Sequence, residues 1–122
     1  MTELKFYQCK HCGNIIAFAK ASGVPVVCCG EKMEALVPNS VDAAIEKHVP
    51  NYEVKDGRIY VTVNHVMEED HYIEWLAMES DTRFERVLLN PGDVPEAEFT
   101  YIPGAKIYSY CNKHSLWENT VD

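Results

Sequence analysis

Long apolar runs are missing from this 122-residue chain. None approaches the ~18 residues needed to span a bilayer as a helix, which excludes a helical membrane protein. The start, MTELKFYQCKHC, lacks a basic segment followed by an apolar stretch. No export signal is therefore visible, and the expected location is the cytoplasm. Positive charge is also scarce: 11 Lys and Arg stand against 19 Asp and Glu, for a net charge of -8. That balance argues against a general nucleic-acid binder. Internal repeats and low-complexity segments are absent. Helical patterning is nearly so, the one fair candidate being a turn or two over Val41–Ile45 with Ser40 as N-cap. Hydrophobic residues at 47% and charged residues at 25% are the proportions of a folded domain, not of a disordered or collagen-like chain.

What is present in excess is cysteine and histidine, five of each. An odd cysteine count without an export signal reads poorly as a disulfide framework. It reads better as metal binding or redox chemistry. Four of the five cysteines precede residue 30, and residues 1–36 carry a net +1, leaving -9 for the remainder. Pro38, Asn39 and Ser40 mark a plausible boundary. The expectation is a small metal-binding β unit at 1–37 and a larger unit at 38–122. A 37-residue unit cannot be stabilised by core burial alone and needs a metal, disulfides or a partner.

The larger unit reads as strands. Ile59, Val61 and Val63 alternate with Tyr60 and Thr62, and Asp56-Gly57 before them signals a tight hairpin from Tyr52–Lys55. Further strands are expected at Tyr72–Met78, Arg83–Leu89, Ala97–Ile102 and Ala105–Tyr110. Turns fall at Asn90-Pro91-Gly92-Asp93 and Pro103-Gly104. Short strands at this spacing predict a mainly β fold, an antiparallel β-sandwich.

Two constellations carry chemistry. Cys9-Lys10-His11-Cys12 is followed after fifteen residues by Cys28-Cys29. A C-x-x-C turn aims two thiolates at one point, and a second pair completes a tetrahedron that suits Zn²⁺ or iron. The vicinal second pair departs from zinc-ribbon spacing, and a structural zinc remains an open alternative. His11 reads as an exposed turn residue. The second constellation is His48, His65, His71, His114 and Cys111. Cys111-Asn112-Lys113-His114 lets a thiolate and an imidazole reach one ion, while each histidine alone is ordinarily a surface or core residue. If all five converge, they exceed the four ligands of structural zinc and suit iron or copper. Fe²⁺ with four neutral imidazoles and one thiolate carries +1, which attracts a small anion even within an acidic domain.

These motifs resemble a known family. Cys9-x-x-Cys12 with Cys28-Cys29 is similar to a desulforedoxin-type site. Glu46-Lys47-His48-Val49-Pro50, the segment from His65 to Trp75, and Tyr110-Cys111 through His114 to Trp117 resemble the motifs of superoxide reductase. In this order they resemble the desulfoferrodoxin family, the two-iron form of that enzyme. Val66 stands where proline is common in the family, and Ser115 where glycine is.

The resemblance implies two irons per chain. Cys9, Cys12, Cys28 and Cys29 would hold an Fe(Cys)₄ electron-transfer centre. His48, His65, His71 and His114 would be equatorial, and Cys111 axial, at a catalytic iron. It implies an immunoglobulin-like sandwich, a homodimer, a rubredoxin-type electron donor, and one-electron reduction of superoxide to hydrogen peroxide without dioxygen release. Lys47 would steer the anion and organise water for protonation, and Glu46 would bind the oxidised iron. Trp75 and Trp117 read as core residues beside the site. A two-iron electron carrier without a substrate is the alternative.

Overall fold

A computed structural model describes residues 6–122. The chain divides into two compact units, Met1–Val37 and Pro38–Asp122. Among the described residues every regular element is a β-strand except one 3₁₀ turn, and no helix is long and apolar enough to cross a membrane.

In the first unit, β1 (Phe6–Gln8) lies between β2 (Ile15–Ala17) and β5 (Glu34–Ala35), both antiparallel to it. A separate hairpin joins β3 (Val27–Cys28) to β4 (Glu31–Lys32). Among its described residues the buried hydrophobic side chains are few: Phe6, Cys9 and Met33. So little core leaves the unit dependent on another source of stability.

The second unit holds seven strands: β6 (Asn51–Lys55), β7 (Arg58–Thr62), β8 (Ile73–Glu79), β9 (Phe84–Leu88), β10 (Glu96–Thr100), β11 (Lys106–Cys111) and β12 (Ser115–Thr120). They form a three-stranded sheet, β10-β7-β6, and a four-stranded sheet, β12-β11-β8-β9. All pairings are antiparallel. Ile59 and Val61 of β7 and Phe99 of β10 share one core with Ile73, Leu76 and Met78 of β8 and Ile107 of β11. This three-plus-four arrangement is an immunoglobulin-like sandwich. The Asp56-Gly57 hairpin forms as the sequence indicates, with φ of 52° and 75° at its two central residues, the signs a type I′ turn requires.

Two sequence expectations are corrected. No helix forms over Val41–Ile45. A single 3₁₀ turn lies later, at Ile45–Lys47, after an extended Ala44 and with no side-chain cap. Tertiary hydrogen bonds account for this. Asn39 is tied by its main chain to Leu116 and by its side-chain amide to Glu118, which holds the entering segment along β12. The Ala44 carbonyl accepts from Lys47 N and from the His48 ring. Pro50 then restricts Val49 and stops further winding. Strand β12 was not among the expected strands. Leu116 and Trp117 are neighbours in sequence yet both about 1% exposed, so the alternation that marks a half-buried strand is missing.

The β11–β12 hairpin closes through Asn112, Lys113 and His114, and Ser115 follows with φ 65°. A three-residue loop ends in this left-handed conformation, which glycine adopts freely and other residues at a cost. Ser115→Gly is expected to raise the stability of the metal-free protein by about 0.5–1 kcal/mol, the strain relieved less the added unfolded-state entropy. Urea denaturation checks this; a lower midpoint would refute the strain.

Candidate metal centres

Sandwich topology gathers the second constellation. Asn51 at the start of β6 pairs with Thr62 at the end of β7, so His48 and His65 leave from one end. Ile73 at the start of β8 pairs with Cys111 at the end of β11, so His71, Cys111 and His114 cluster likewise. The donor atoms of His48, His65, His71, His114 and Cys111 all lie within 4.8 Å of one another.

The four imidazoles form a closed ring. Centroid separations run 4.8 Å from His48 to His65, 4.7 Å to His71, 5.1 Å to His114 and 4.7 Å back to His48. Each neighbour is edge-on to the next, at 71° to 88°. Cys111, fully buried, places Sγ 3.5 Å from His65 Nε2 and 3.7 Å from His114 Nδ1. His114 thus turns Nδ1 inward, where His48 and His65 turn Nε2.

Hydrogen bonds outside the ring fix these orientations. His48 Nδ1 donates to Ala44 O at 2.7 Å, and His65 Nδ1 to Val66 O. Each bond places the proton outside and leaves the Nε2 lone pair aimed inward, as metal-binding histidines require. Since the Val66 carbonyl is main chain, a valine in place of the family's proline leaves this bond intact. Burial pushes the pKa of both His48 and His65 below the ordinary value, which favours the neutral, ligating form.

The ring passes a direct test of fit. His71 Nε2 is buried and has no hydrogen-bond partner among the described residues. His48 Nε2 and His114 Nδ1 approach to 3.0 Å, so a cation or a proton must lie between two lone pairs. A cation held by the ring satisfies both conditions. Four imidazoles with one soft thiolate fit iron.

Trp117 is a buried core residue beside the site, as its sequence context implies. Its ring stacks on His48 at 5.0 Å and 29°, and its Nε1 donates to the His114 carbonyl at 2.9 Å. Trp75 instead stacks on Tyr110, 5.4 Å away. Ser109, on β11 and fully buried, donates its hydroxyl to the His48 carbonyl. Sequence gave no signal for Ser109, because a lone serine in a strand has no distinguishing spacing. Glu46 and Lys47 occupy the exposed 3₁₀ turn that leads into His48.

In the first unit the donor atoms of Cys9, Cys12, Cys28 and Cys29 also lie within 4.8 Å of one another. The C-x-x-C turn is closed by Gly13 N on Cys9 O at 3.0 Å and by Cys9 N on Asn14 O at 2.9 Å. The vicinal pair has a local explanation. Val27–Lys32 and Cys28–Glu31 pair, leaving Cys29 and Gly30 as the two central residues of a hairpin turn, with φ 51° and 81°. The left-handed Cys29 bends the chain sharply enough for adjacent thiols to face one point. Asn14 Nδ2 lies 3.7 Å from Cys28 Sγ as a further donor. His11 pairs with Glu31 at 3.2 Å, away from the sulfurs.

The main-chain N–H of Cys12 draws the Cys9 thiol down to about 6, helped by that of His11. Cys29, hydrogen-bonded to the sulfurs of Cys9 and Cys12, is pushed up to about 12. Four sulfurs this close cannot all ionise unless a cation neutralises them, and a tetrathiolate set fits iron. Cys12→Ser is therefore expected to lose the metal of this centre and the ordered structure of the first unit, leaving one iron per chain at the histidine ring. Metal content with amide hydrogen exchange checks this; protection of 6–36 unchanged in the variant would contradict it.

Fold and sites together define a class: a two-centre, non-haem iron protein built from a cysteine-rich β unit and an immunoglobulin-like sandwich. The chain belongs to the desulfoferrodoxin family. The family model for desulfoferrodoxin matches residues 40–120, and that for its N-terminal domain matches residues 2–36. A desulfoferrodoxin of Syntrophotalea carbinolica is 43% identical over 121 residues, covering 96% of each chain. A desulfoferrodoxin homolog of Archaeoglobus fulgidus is 41% identical, covering 98% of this chain and 99% of its own. The superoxide reductase of Treponema pallidum has a similar structure, with a TM-score of 0.75 at 28% identity, covering 97% of this chain and 99% of that one.

Proposed function

We propose that the chain is a superoxide reductase, which reduces superoxide by one electron and two protons to hydrogen peroxide and releases no dioxygen. The observation that carries this reading is the ring of four imidazoles beside one sealed thiolate. His48, His65, His71, His114 and Cys111 are the ligands in this proposal, as are Cys9, Cys12, Cys28 and Cys29 at the other centre. Iron held by the ring would supply the electron by passing from the ferrous to the ferric state. Everything else falls to the chain. Cys111 lowers the charge of the site by one and, being fully buried, leaves approach only from the imidazole side. His65, His71 and His114 are partly exposed there. Five donors leave an octahedral ion one short of its complement.

Lys47 draws in the anion and orders water that delivers the protons. Glu46 neutralises the charge added when the site is oxidised. The tetrathiolate unit relays electrons from a small rubredoxin-type carrier. We further propose that the protein works as a homodimer and in the cytoplasm, where cysteines outside disulfides stay reduced and able to hold metal.

The test is metal content and spectra of the purified protein, followed by superoxide added to the reduced form. Two irons per chain and stoichiometric oxidation of the histidine-ligated iron with peroxide formed, but no dioxygen, are expected. Two irons unreactive toward superoxide would favour a pure electron carrier; colourless zinc protein would end both readings.

A further inference from the structure

The loop that carries His71 has few anchors of its own. Glu68 and His71 exchange two main-chain hydrogen bonds, Glu68 N to His71 O at 2.9 Å and His71 N to Glu68 O at 3.2 Å. Met67 accepts from Gly92 N at 2.8 Å and, through its sulfur, from Ile73 N at 3.4 Å. None of these reaches the hairpin that bears Cys111 and His114.

Asn112 makes that link three times. Its main-chain N donates to Tyr72 O at 3.3 Å. Its Oδ1 accepts from Tyr72 N at 3.0 Å, and its Nδ2 donates to Asp70 O at 2.9 Å. The two partners of the side-chain amide flank His71 on either side. The local ladder explains the need. The β8–β11 register shifts between Tyr110 and Cys111, and the chain then turns away into the 112–114 loop. The next rung is therefore supplied by a side chain, whose Oδ1 accepts where a main-chain carbonyl ordinarily would. Asparagine alone offers an acceptor and a donor at this reach. Aspartate only accepts, and glutamine is one methylene longer.

We propose that Asn112 is a positioning residue that straddles His71 and fixes its imidazole against Cys111 and His114, so that the ring has its geometry before metal arrives. This rests on the reading of His71 as a ligand. Lys113 joins the same two loops through Asp70 at 3.9 Å, but both partners are exposed and the contact contributes little. It serves as a control.

The experiment uses the full chain, with ferrous iron as the probe. Affinity at the histidine ring is measured by competition with a chelator, and exchange of the Tyr72 amide is followed in the metal-free protein. Asn112→Ala should bind ferrous iron about 10-fold more weakly, the lower end of what loss of an outer-shell partner costs a metal site, because Asn112 holds the main chain on either side of His71 and not its ring. Tyr72 N–H should lose protection, while the tetrathiolate iron stays bound. Asn112→Asp keeps the acceptor for Tyr72 but not the donor to Asp70, so protection should persist and affinity fall between the two. Lys113→Ala should match the wild type.

Wild-type affinity in Asn112→Ala would overturn the proposal. So would a loss that accompanies global unfolding of the metal-free variant, or one that Lys113→Ala reproduces. Failure of the wild type itself to bind iron at the ring would instead defeat the assignment of the ligands.

Discussion

Cys111→Ser should abolish the superoxide reaction and weaken iron binding at the histidine ring by at least about 100-fold, the upper end of what loss of an outer-shell partner costs a metal site. Cys111 is fully buried, with Sγ within 3.7 Å of both His65 and His114. As a metal ligand its sulfur serves as a thiolate, which takes one unit off the charge of the cation. Serine is nearly the same size but stays a neutral hydroxyl, so a ferrous site would hold +2 instead of +1. It would also lose its only soft, electron-donating ligand. The fold should survive, since the hydroxyl can donate to the lone pair of His65 Nε2. The tetrathiolate iron should be unaffected. Iron per chain, the spectrum of each centre and the oxidation of reduced protein by superoxide measure all three. A variant that retains two irons and reacts at the wild-type rate would remove Cys111 from the centre.

The sequence disclosed residue types better than arrangement. Ile59 and Val61 are legible as core because alternation reports one face of a strand, and Asp56-Gly57 as a turn because few pairs tolerate two positive φ values. Strand β12 was not legible, because both of its faces are covered at Leu116 and Trp117. The 3₁₀ turn at Ile45–Lys47 was misplaced because its limits are set by Asn39, seventy-nine residues from its partner Glu118. For the site, cysteine and histidine spacing pointed to metal chemistry. The order His48-His65-His71-His114 around the ring depends on which strand ends meet. The choice of Nδ1 in His114 depends on a three-residue loop. Asn112, Ser109 and Trp117 act through main-chain carbonyls and stacking, for which no short motif exists.

Lys47→Ala should slow the second-order reaction with superoxide about tenfold at low ionic strength, a modest share of what electrostatic steering can supply. Lys47 sits exposed on the turn that ends at His48, within a unit of strongly negative charge. The chain as a whole carries -8 and repels an anion. A cation on the residue before His48 would oppose that repulsion over distances shorter than the Debye length, about 10 Å at 0.1 M salt. Salt screens the attraction, so the wild-type rate should fall as ionic strength rises. With Lys47 removed, the +1 of the metal site alone is left against the long-range repulsion, and the salt dependence should flatten or reverse sign. Lys47→Arg separates steering from proton delivery. It keeps the charge and hence the salt dependence, but a planar guanidinium holds water differently from a compact ammonium, so any loss that persists at all salt concentrations belongs to the ordering of the water that delivers the protons. Glu46→Ala is the companion variant: its reaction with superoxide should be preserved while the spectrum of the oxidised centre changes. A Lys47→Ala rate and salt profile identical to wild type would show that the anion is captured by the charge of the metal site alone.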